Sequence, residues 1–143
     1  MDELAKELVR DWLTRASHDL RAARLLAAAE APPLDIAIYH CQQAAEKSVK
    51  AWLQAQDEPF PKTHDIDDLV KSASALCPDF SKLEQAADVL TPYATAFRYP
   101  GGSFERMPTH EEFEDALNHA QRVYDFVMSL LPPRSEASCR ERV

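Results

Sequence analysis

Between residues 39 and 50, polar side chains recur at the spacing of one helix edge. On a helix, Tyr39, Gln43, Glu46 and Lys50 fall along one border of an apolar stripe, and Lys47 falls on the solvent side. Tyr39 and Gln43 offer hydrogen bonds beside the Lys50 cation, a combination that can bind a phosphate. The spacing therefore predicts one wall of an anion-binding cleft. The alternative is a solvated helix face stabilised by the i,i+4 pair of Glu46 and Lys50.

Three further candidates lie at predicted helix ends. His64 stands at the start of a predicted helix, where backbone N–H groups favour anions. Arg98 and Tyr99 precede Pro100 and combine a forked, phosphate-binding side chain with an aromatic ring. We expect all three to line the same cleft. The alternatives are a capping role for His64 and neutralisation of helix-end carbonyls by Arg98.

An acidic residue falls on the apolar face of the predicted first helix. On a helical wheel, Asp19 lies between Trp12 and Ala23, in the middle of the stripe expected to be buried. A buried, unpaired carboxylate costs several kcal/mol, so a donor or cation from another helix should reach it. Asp19 is therefore either part of a buried ion pair or, like Glu46, a group that orients a cation of the site.

The composition limits the class of protein. The chain has 143 residues, two glycines and ten prolines, which favours a single helical domain with helices separated by proline. Its formal net charge of −8 argues against a protein that coats nucleic acid non-specifically, but allows a local basic pocket. No metal or cofactor is expected, because the histidines show no ligand spacing. They are His18, His40, His64, His110 and His119.

Cysteine usage and hydropathy give expectations about location. Cys41, Cys77 and Cys139 are odd in number and show no CxxC spacing, so we expect buried or reduced thiols in a cytoplasmic protein. No signal peptide begins the sequence, and no apolar run approaches the roughly 20 residues that span a bilayer. We therefore expect no membrane association.

Apolar periodicity and caps predict five helices in an all-α, up-and-down antiparallel bundle. The predicted segments are Asp2 to Ala29, Pro33 to Leu53, Thr63 or His64 to Leu76 with Thr63 as cap, Asp79 to Leu90 followed by a new turn at Thr91-Pro92, and a last helix from the capping box Thr109–Glu112 to Leu131. Residues 1–131 form the predicted domain, and residues 132–143 a disordered tail.

The last predicted helix has a wide apolar face. Phe126 and Leu130 fall beside its main stripe, which carries Phe113, Leu117, Ala120, Tyr124, Val127 and Leu131. This width indicates either a second packing surface, most simply in a homodimer, or an ordinary broad core face.

In these motifs the sequence resembles the HEPN family of helical domains. The matching motifs are Asp19-Leu20 with Ala23, Gln42–Lys47 with Lys50-Ala51, Pro61–Ile66 and Arg98–Pro100. The resemblance implies a bundle of four or five helices, usually a homodimer, that binds nucleotides or RNA. Many relatives are encoded beside a small nucleotidyltransferase, with which they form a toxin–antitoxin pair. On this basis we expect nucleotide contacts from Tyr39, Gln43, Lys50, His64, Arg98 and Tyr99, supported by Asp19, Glu46 and Lys47.

The sequence departs from the ribonuclease members of that family. Those members carry an arginine followed, after four to six residues, by a histidine that serves metal-free cleavage. After Arg98 the corresponding positions hold Ser103, Phe104 and Glu105, so we assign no catalytic residue. Two alternatives stay open: a ribonuclease toxin using displaced residues such as Arg106 and His110, and a dimeric module that only binds a partner protein.

Overall fold

The computed structural model describes residues 2–60, 62–63, 65–97, 100 and 106–131. This part of the chain is helical and contains no strand. The α-helices are α1 (Glu3–Ala27), α2 (Leu34–Ala55), α3 (Ile66–Leu76), α4 (Glu84–Leu90) and α5 (His110–Leu130), with 3₁₀ turns at Pro78–Leu83 and Thr91–Ala94. The all-α prediction is confirmed. The predicted tail, residues 132–143, lies outside the described residues.

Helix α2 is the central element of the bundle. It begins directly after Pro33, whose fixed φ suits a helix start, and most of its residues are buried. Its largest contacts are with α1 on one side and α5 on another. Trp52 packs against Phe80 with ring centroids 4.6 Å apart, linking α2 to the first 3₁₀ turn. Helix α2 is therefore buried over most of its surface, and its buried residues include polar ones.

The predicted start of α3 is wrong by two or three residues. Asp65 is the N-cap, and its side chain accepts a hydrogen bond from the Asp68 amide at 3.3 Å. Thr63 Oγ1 instead accepts a hydrogen bond from the Asp65 amide at 2.9 Å, which orders the approach to the helix. Threonine and aspartate are both good N-cap residues, so the sequence alone does not decide whether Thr63 or Asp65 caps α3.

The fourth predicted segment is divided into two elements. Its start is a 3₁₀ turn whose N-cap is Cys77, so Asp79 lies inside the turn and is not its cap. The second 3₁₀ turn does begin at Thr91, as predicted, but Leu90 is its N-cap. Thr91 Oγ1 accepts a hydrogen bond from the Asp67 amide at 3.3 Å, so this hydroxyl serves the start of α3.

Helix α5 has the predicted capping box. Thr109 Oγ1 accepts from the Glu112 amide at 3.1 Å, and Glu112 accepts from the Thr109 amide at 2.9 Å. The buried stripe lies beside the predicted one and comprises Phe113, Ala116, Ala120, Val123, Val127 and Leu130. Phe126 meets the Phe80 ring at 5.0 Å, edge to face. These contacts favour the broad core face over a second surface, so the homodimer stays a prediction without this support.

The two described cysteines are buried, as expected for small apolar-like residues. Cys41 is a free thiol, and burial raises its pKa to about 12. Cys77 is fully buried as well. Among the described helices, none is both long and apolar enough to cross a membrane.

Candidate functional site

A line of buried and partly buried polar side chains, which we call the polar seam, runs along α2 where α1 covers it. It consists of Asp19 from α1 and His40, Gln42, Gln43, Glu46, Lys47 and Lys50 from α2. Among the buried polar and charged residues of the described chain, only Ser48 lies outside it. The seam divides into two bonded groups, one around Asp19 and one around Glu46.

Asp19 is buried and has the partners that its position requires. Its Oδ1 lies 2.7 Å from His40 Nδ1, and its Oδ2 accepts a hydrogen bond from Lys47 Nζ at 2.6 Å. Both carboxylate oxygens are therefore bonded across the α1–α2 interface. The expectation that a donor or cation from another helix reaches Asp19 is confirmed.

The pKa of Asp19 reflects these contacts. Burial alone would raise it, but the hydrogen bonds from His40 and Lys47 and the positive charge of Lys47 outweigh burial and hold the pKa below its usual value. Asp19 is thus an ionised carboxylate at neutral pH. An ionised carboxylate can only accept hydrogen bonds, so both partners donate to it.

The placement of Lys47 on the solvent side is wrong. Its side chain is only 22% exposed, because the ammonium group turns toward Asp19 on α1. A helical wheel puts Lys47 outside the apolar stripe of α2, yet α1 covers that side of the helix as well. The long apolar stem of lysine permits this arrangement while the charged head reaches its partner.

Glu46 is the centre of the second group. Its Oε1 accepts from Gln42 Nε2 at 3.1 Å and from Gln43 Nε2 at 3.4 Å, and its Oε2 accepts from Lys50 Nζ at 2.9 Å. Gln43 Nε2 also donates to Gln42 Oε1 at 2.7 Å. The predicted i,i+4 pair of Glu46 and Lys50 exists, but it is buried, so the solvated-face alternative does not describe it.

Two aromatic rings cover the Lys50 ammonium. Nζ lies 5.5 Å from the centroid of the Trp12 ring and 6.0 Å from that of Phe60. The two rings meet edge to face at 6.5 Å. Aromatic faces attract a cation through their quadrupole, which helps offset its loss of water. Lys50 is thus held by one carboxylate and two rings, and only 10% of its side chain is exposed.

The remaining predicted contacts are only partly described. Tyr39 is partly exposed, and its ring centroid lies 6.0 Å from that of His40. His64, Arg98 and Tyr99 lie outside the described residues, so their place relative to the seam stays a prediction. The structure therefore brings together Asp19, Gln43, Glu46, Lys47 and Lys50, with Tyr39 beside them.

His40 and Gln42 belong to the seam and were missed by the sequence reasoning. His40 and Lys47 are seven residues apart, which places them on the same side of a helix two turns apart. Asp19 requires a donor from another helix, and this pair is the matching signal on α2. No comparable sequence signal marks Gln42, which lies inside the apolar stripe of α2 and is fully buried.

Of the displaced ribonuclease pair, Arg106 is bonded to a carboxylate and His110 is exposed. Arg106 donates from both terminal nitrogens to Glu112, at 2.6 and 2.9 Å. These bonds, with the Thr109 amide, lower the pKa of Glu112 to about 2. Arg106 thus stabilises the start of α5, and His110 is an exposed first residue of that helix. In the described residues, no three His, Cys, Asp or Glu side chains are grouped to hold a metal ion.

Comparison with known proteins gives consistent matches. The family model described as HEPN domain matches residues 9–131. An archaeal HEPN homologue, ST0689, is 27% identical with a TM-score of 0.71, and the match covers 87% of this chain and 98% of that one. TT1696 from Thermus thermophilus is 33% identical with a TM-score of 0.71, covering 85% of this chain and 96% of that one. A comparison with curated proteins found no match.

Proposed function

The chain belongs to the HEPN domain family, and we propose that it binds a nucleotide or RNA in a cleft along the polar seam. Tyr39 and Lys47, which are both partly exposed, are proposed to form its rim. His64, Arg98 and Tyr99 are proposed to complete it, with Arg98 as the main phosphate contact. Gln43 and Lys50 are buried, so in this proposal they act from beneath, as part of the group around Glu46.

The observation that supports binding is the pairing of two lysines with two buried acids. Asp19 and Glu46 hold the ammonium groups of Lys47 and Lys50 at 2.6 and 2.9 Å. An apolar interior would stabilise the fold at least as well as such pairs, because removing charges from water is costly. Two ion pairs retained at one interface are therefore better explained by recognition of a polar ligand than by stability alone.

Calorimetric titration tests this function. ATP, GTP, CTP, UTP and a short single-stranded RNA are each titrated into the wild type, Arg98→Ala and Lys47→Met. Loss of one charge-assisted hydrogen bond should weaken binding by about tenfold or more. Lys6→Met is the matched control, because Lys6 is a half-exposed lysine at the surface of α1. Absence of heat with every ligand refutes the proposal.

We also propose a partner of the small nucleotidyltransferase class, in a toxin–antitoxin type of pair, and self-association as a homodimer. Family membership supports both, since the resemblance implies them. Co-purification with the product of the neighbouring gene tests the partner, and light scattering of the purified chain tests the dimer. A monomer at micromolar concentration, or a neighbour that never co-purifies, contradicts the respective proposal.

The ribonuclease alternative has less support. Its arginine, Arg106, has both terminal nitrogens bonded to Glu112, which leaves it poorly placed to meet a phosphate. Growth arrest on induced expression that His110→Ala relieves would revive this alternative. Arrest that His110→Ala does not relieve would point to another cause.

A further inference from the structure

The two ring nitrogens of His40 have different surroundings. Nδ1 lies 2.7 Å from the ionised Asp19 carboxylate, which can only accept, so Nδ1 carries the proton. In the neutral imidazole the other nitrogen, Nε2, then has a free lone pair. Asp19 thus selects one tautomer and makes Nε2 a hydrogen-bond acceptor.

Nε2 is the ring nitrogen of His40 that keeps contact with solvent. The His40 side chain is 27% exposed, and Nδ1 is the side of the ring that turns inward to α1. No hydrogen bond connects Nε2 to another residue in the part of the chain described, and Nε2 is not among its buried, unpartnered polar atoms. The ring therefore has an inner nitrogen with a fixed bond and an outer nitrogen available to a ligand.

The charges around His40 favour a neutral donor over an anion. Asp19 and Lys47 carry opposite charges and are bonded at 2.6 Å, so they largely cancel. An unprotonated Nε2 repels a phosphate oxygen, since both are acceptors, but accepts a hydrogen bond from a hydroxyl group. The Tyr39 ring, 6.0 Å from the imidazole, supplies a flat surface beside it. A sugar with free hydroxyls fits this combination.

We propose that His40 Nε2 accepts a hydrogen bond from a ribose hydroxyl of the bound nucleotide or RNA. This inference rests on the proposed function. In it, the sugar and the phosphate of the ligand bind at different parts of the cleft. The sugar lies against His40 and Tyr39, and the phosphate lies toward the cations. Asp19 acts on the ligand only through His40, as a positioning residue.

Two substitutions separate a ligand contact from a structural role. His40→Asn keeps a donor near the position of Nδ1, and so preserves the bond to Asp19, but has nothing at the position of Nε2. His40→Gln reaches the position of Nε2 and can supply an acceptor there. A purely structural histidine would be replaced better by asparagine, and a ligand-binding one by glutamine.

The assay compares each nucleoside triphosphate that binds with its 2′,3′-dideoxy analogue. One hydrogen bond should make the wild type prefer the ribonucleotide by about two- to tenfold. His40→Asn should abolish this preference while still binding both ligands, and His40→Gln should retain part of it. In ¹⁵N spectra of the free wild type, the neutral form of His40 should carry its proton on Nδ1.

Several results would overturn the inference. Equal wild-type affinity for the two analogues, or a preference that survives in His40→Asn, excludes the ribose contact and leaves nucleotide binding intact. A neutral imidazole with its proton on Nε2 excludes the tautomer on which the contact depends. Absence of heat with every ribonucleotide excludes the proposed function and this inference together. If His40→Asn does not fold, the wild-type preference and the ¹⁵N spectrum decide.

Discussion

Replacing Glu46 with glutamine should lower the free energy of unfolding by about 3 kcal/mol. The substitution keeps the size of the side chain and a carbonyl acceptor, but removes the negative charge that faces Lys50. The ammonium group then stays inside the bundle without its carboxylate. Most of the expected loss comes from this uncompensated cation, and little comes from lost packing.

The magnitude follows from the burial of the pair. The side chains of Glu46 and Lys50 are only 4% and 10% exposed, and their charged atoms are 2.9 Å apart. Breaking a buried pair by removing one partner costs roughly 3–5 kcal/mol. We take the lower end because Trp12 and Phe60 still attract the cation after the carboxylate is gone.

A surface pair on the same protein provides the matched control. Lys6 and Glu3 form an ion pair at 3.3 Å on α1, with side chains 46% and 81% exposed. Exposed pairs of this kind contribute about 0–1 kcal/mol, so Glu3→Gln should change stability by well under 1 kcal/mol. The difference between the two substitutions isolates the effect of burial.

Urea denaturation of four proteins measures the coupling: wild type, Glu46→Gln, Lys50→Met, and the double variant. Removing both charges should recover about half or more of the loss in Glu46→Gln, because no unpaired cation remains. The denaturant slope should stay constant throughout. The reasoning is refuted if Glu46→Gln costs no more than Glu3→Gln, or if the double variant is less stable than either single one.

Three other substitutions should change the stability of the fold, two through the pKa of a carboxyl group and one through a helix cap. Asp19 has a lowered pKa, so its contacts stabilise the fold above the ordinary carboxyl pKa of about 4, and this stabilisation is lost as the pH falls further. In Asp19→Asn the free energy of unfolding should therefore depend less on pH in the acid range. Burial and the neighbouring Asp88 raise the pKa of Asp67 to about 6. The free energy of unfolding of the wild type should therefore decline as the pH rises from about 4 to 6. An equally steep decline in Asp67→Asn would contradict this origin. Thr109→Ala should cost about 1 kcal/mol by removing the N-cap of α5, while Thr14→Ala, on the exposed side of α1, should cost far less in the same urea titration.

The helix caps show where local signals suffice and where they do not. The box at Thr109 and Glu112 was predictable because its two hydrogen bonds involve residues three apart on the same chain segment. The start of α3 was not, since Thr63 and Asp65 are both good caps and both are used. The fourth segment is divided into a 3₁₀ turn and α4, and no local sequence signal distinguishes these two helix geometries there.

Asp19 and Lys47 show the same limit for the candidate site. A helical wheel gives the direction of a side chain relative to its own helix axis, so it correctly predicted that Asp19 is buried and needs a donor. It does not give the position of neighbouring helices. Lys47 was therefore assigned to solvent, although α1 lies on that side and supplies its carboxylate.

The sequence by itself determined that the chain is all-helical, where its main helices lie, and that a polar edge follows α2. These properties depend on periodicity, caps and proline positions, which act over a few residues. The tertiary structure decided that the edge is buried, and that Asp19 meets His40 as well as Lys47. It did so because the identity of a buried group's partner depends on which helices pack together, and residues 21 and 28 positions apart meet only in the folded bundle.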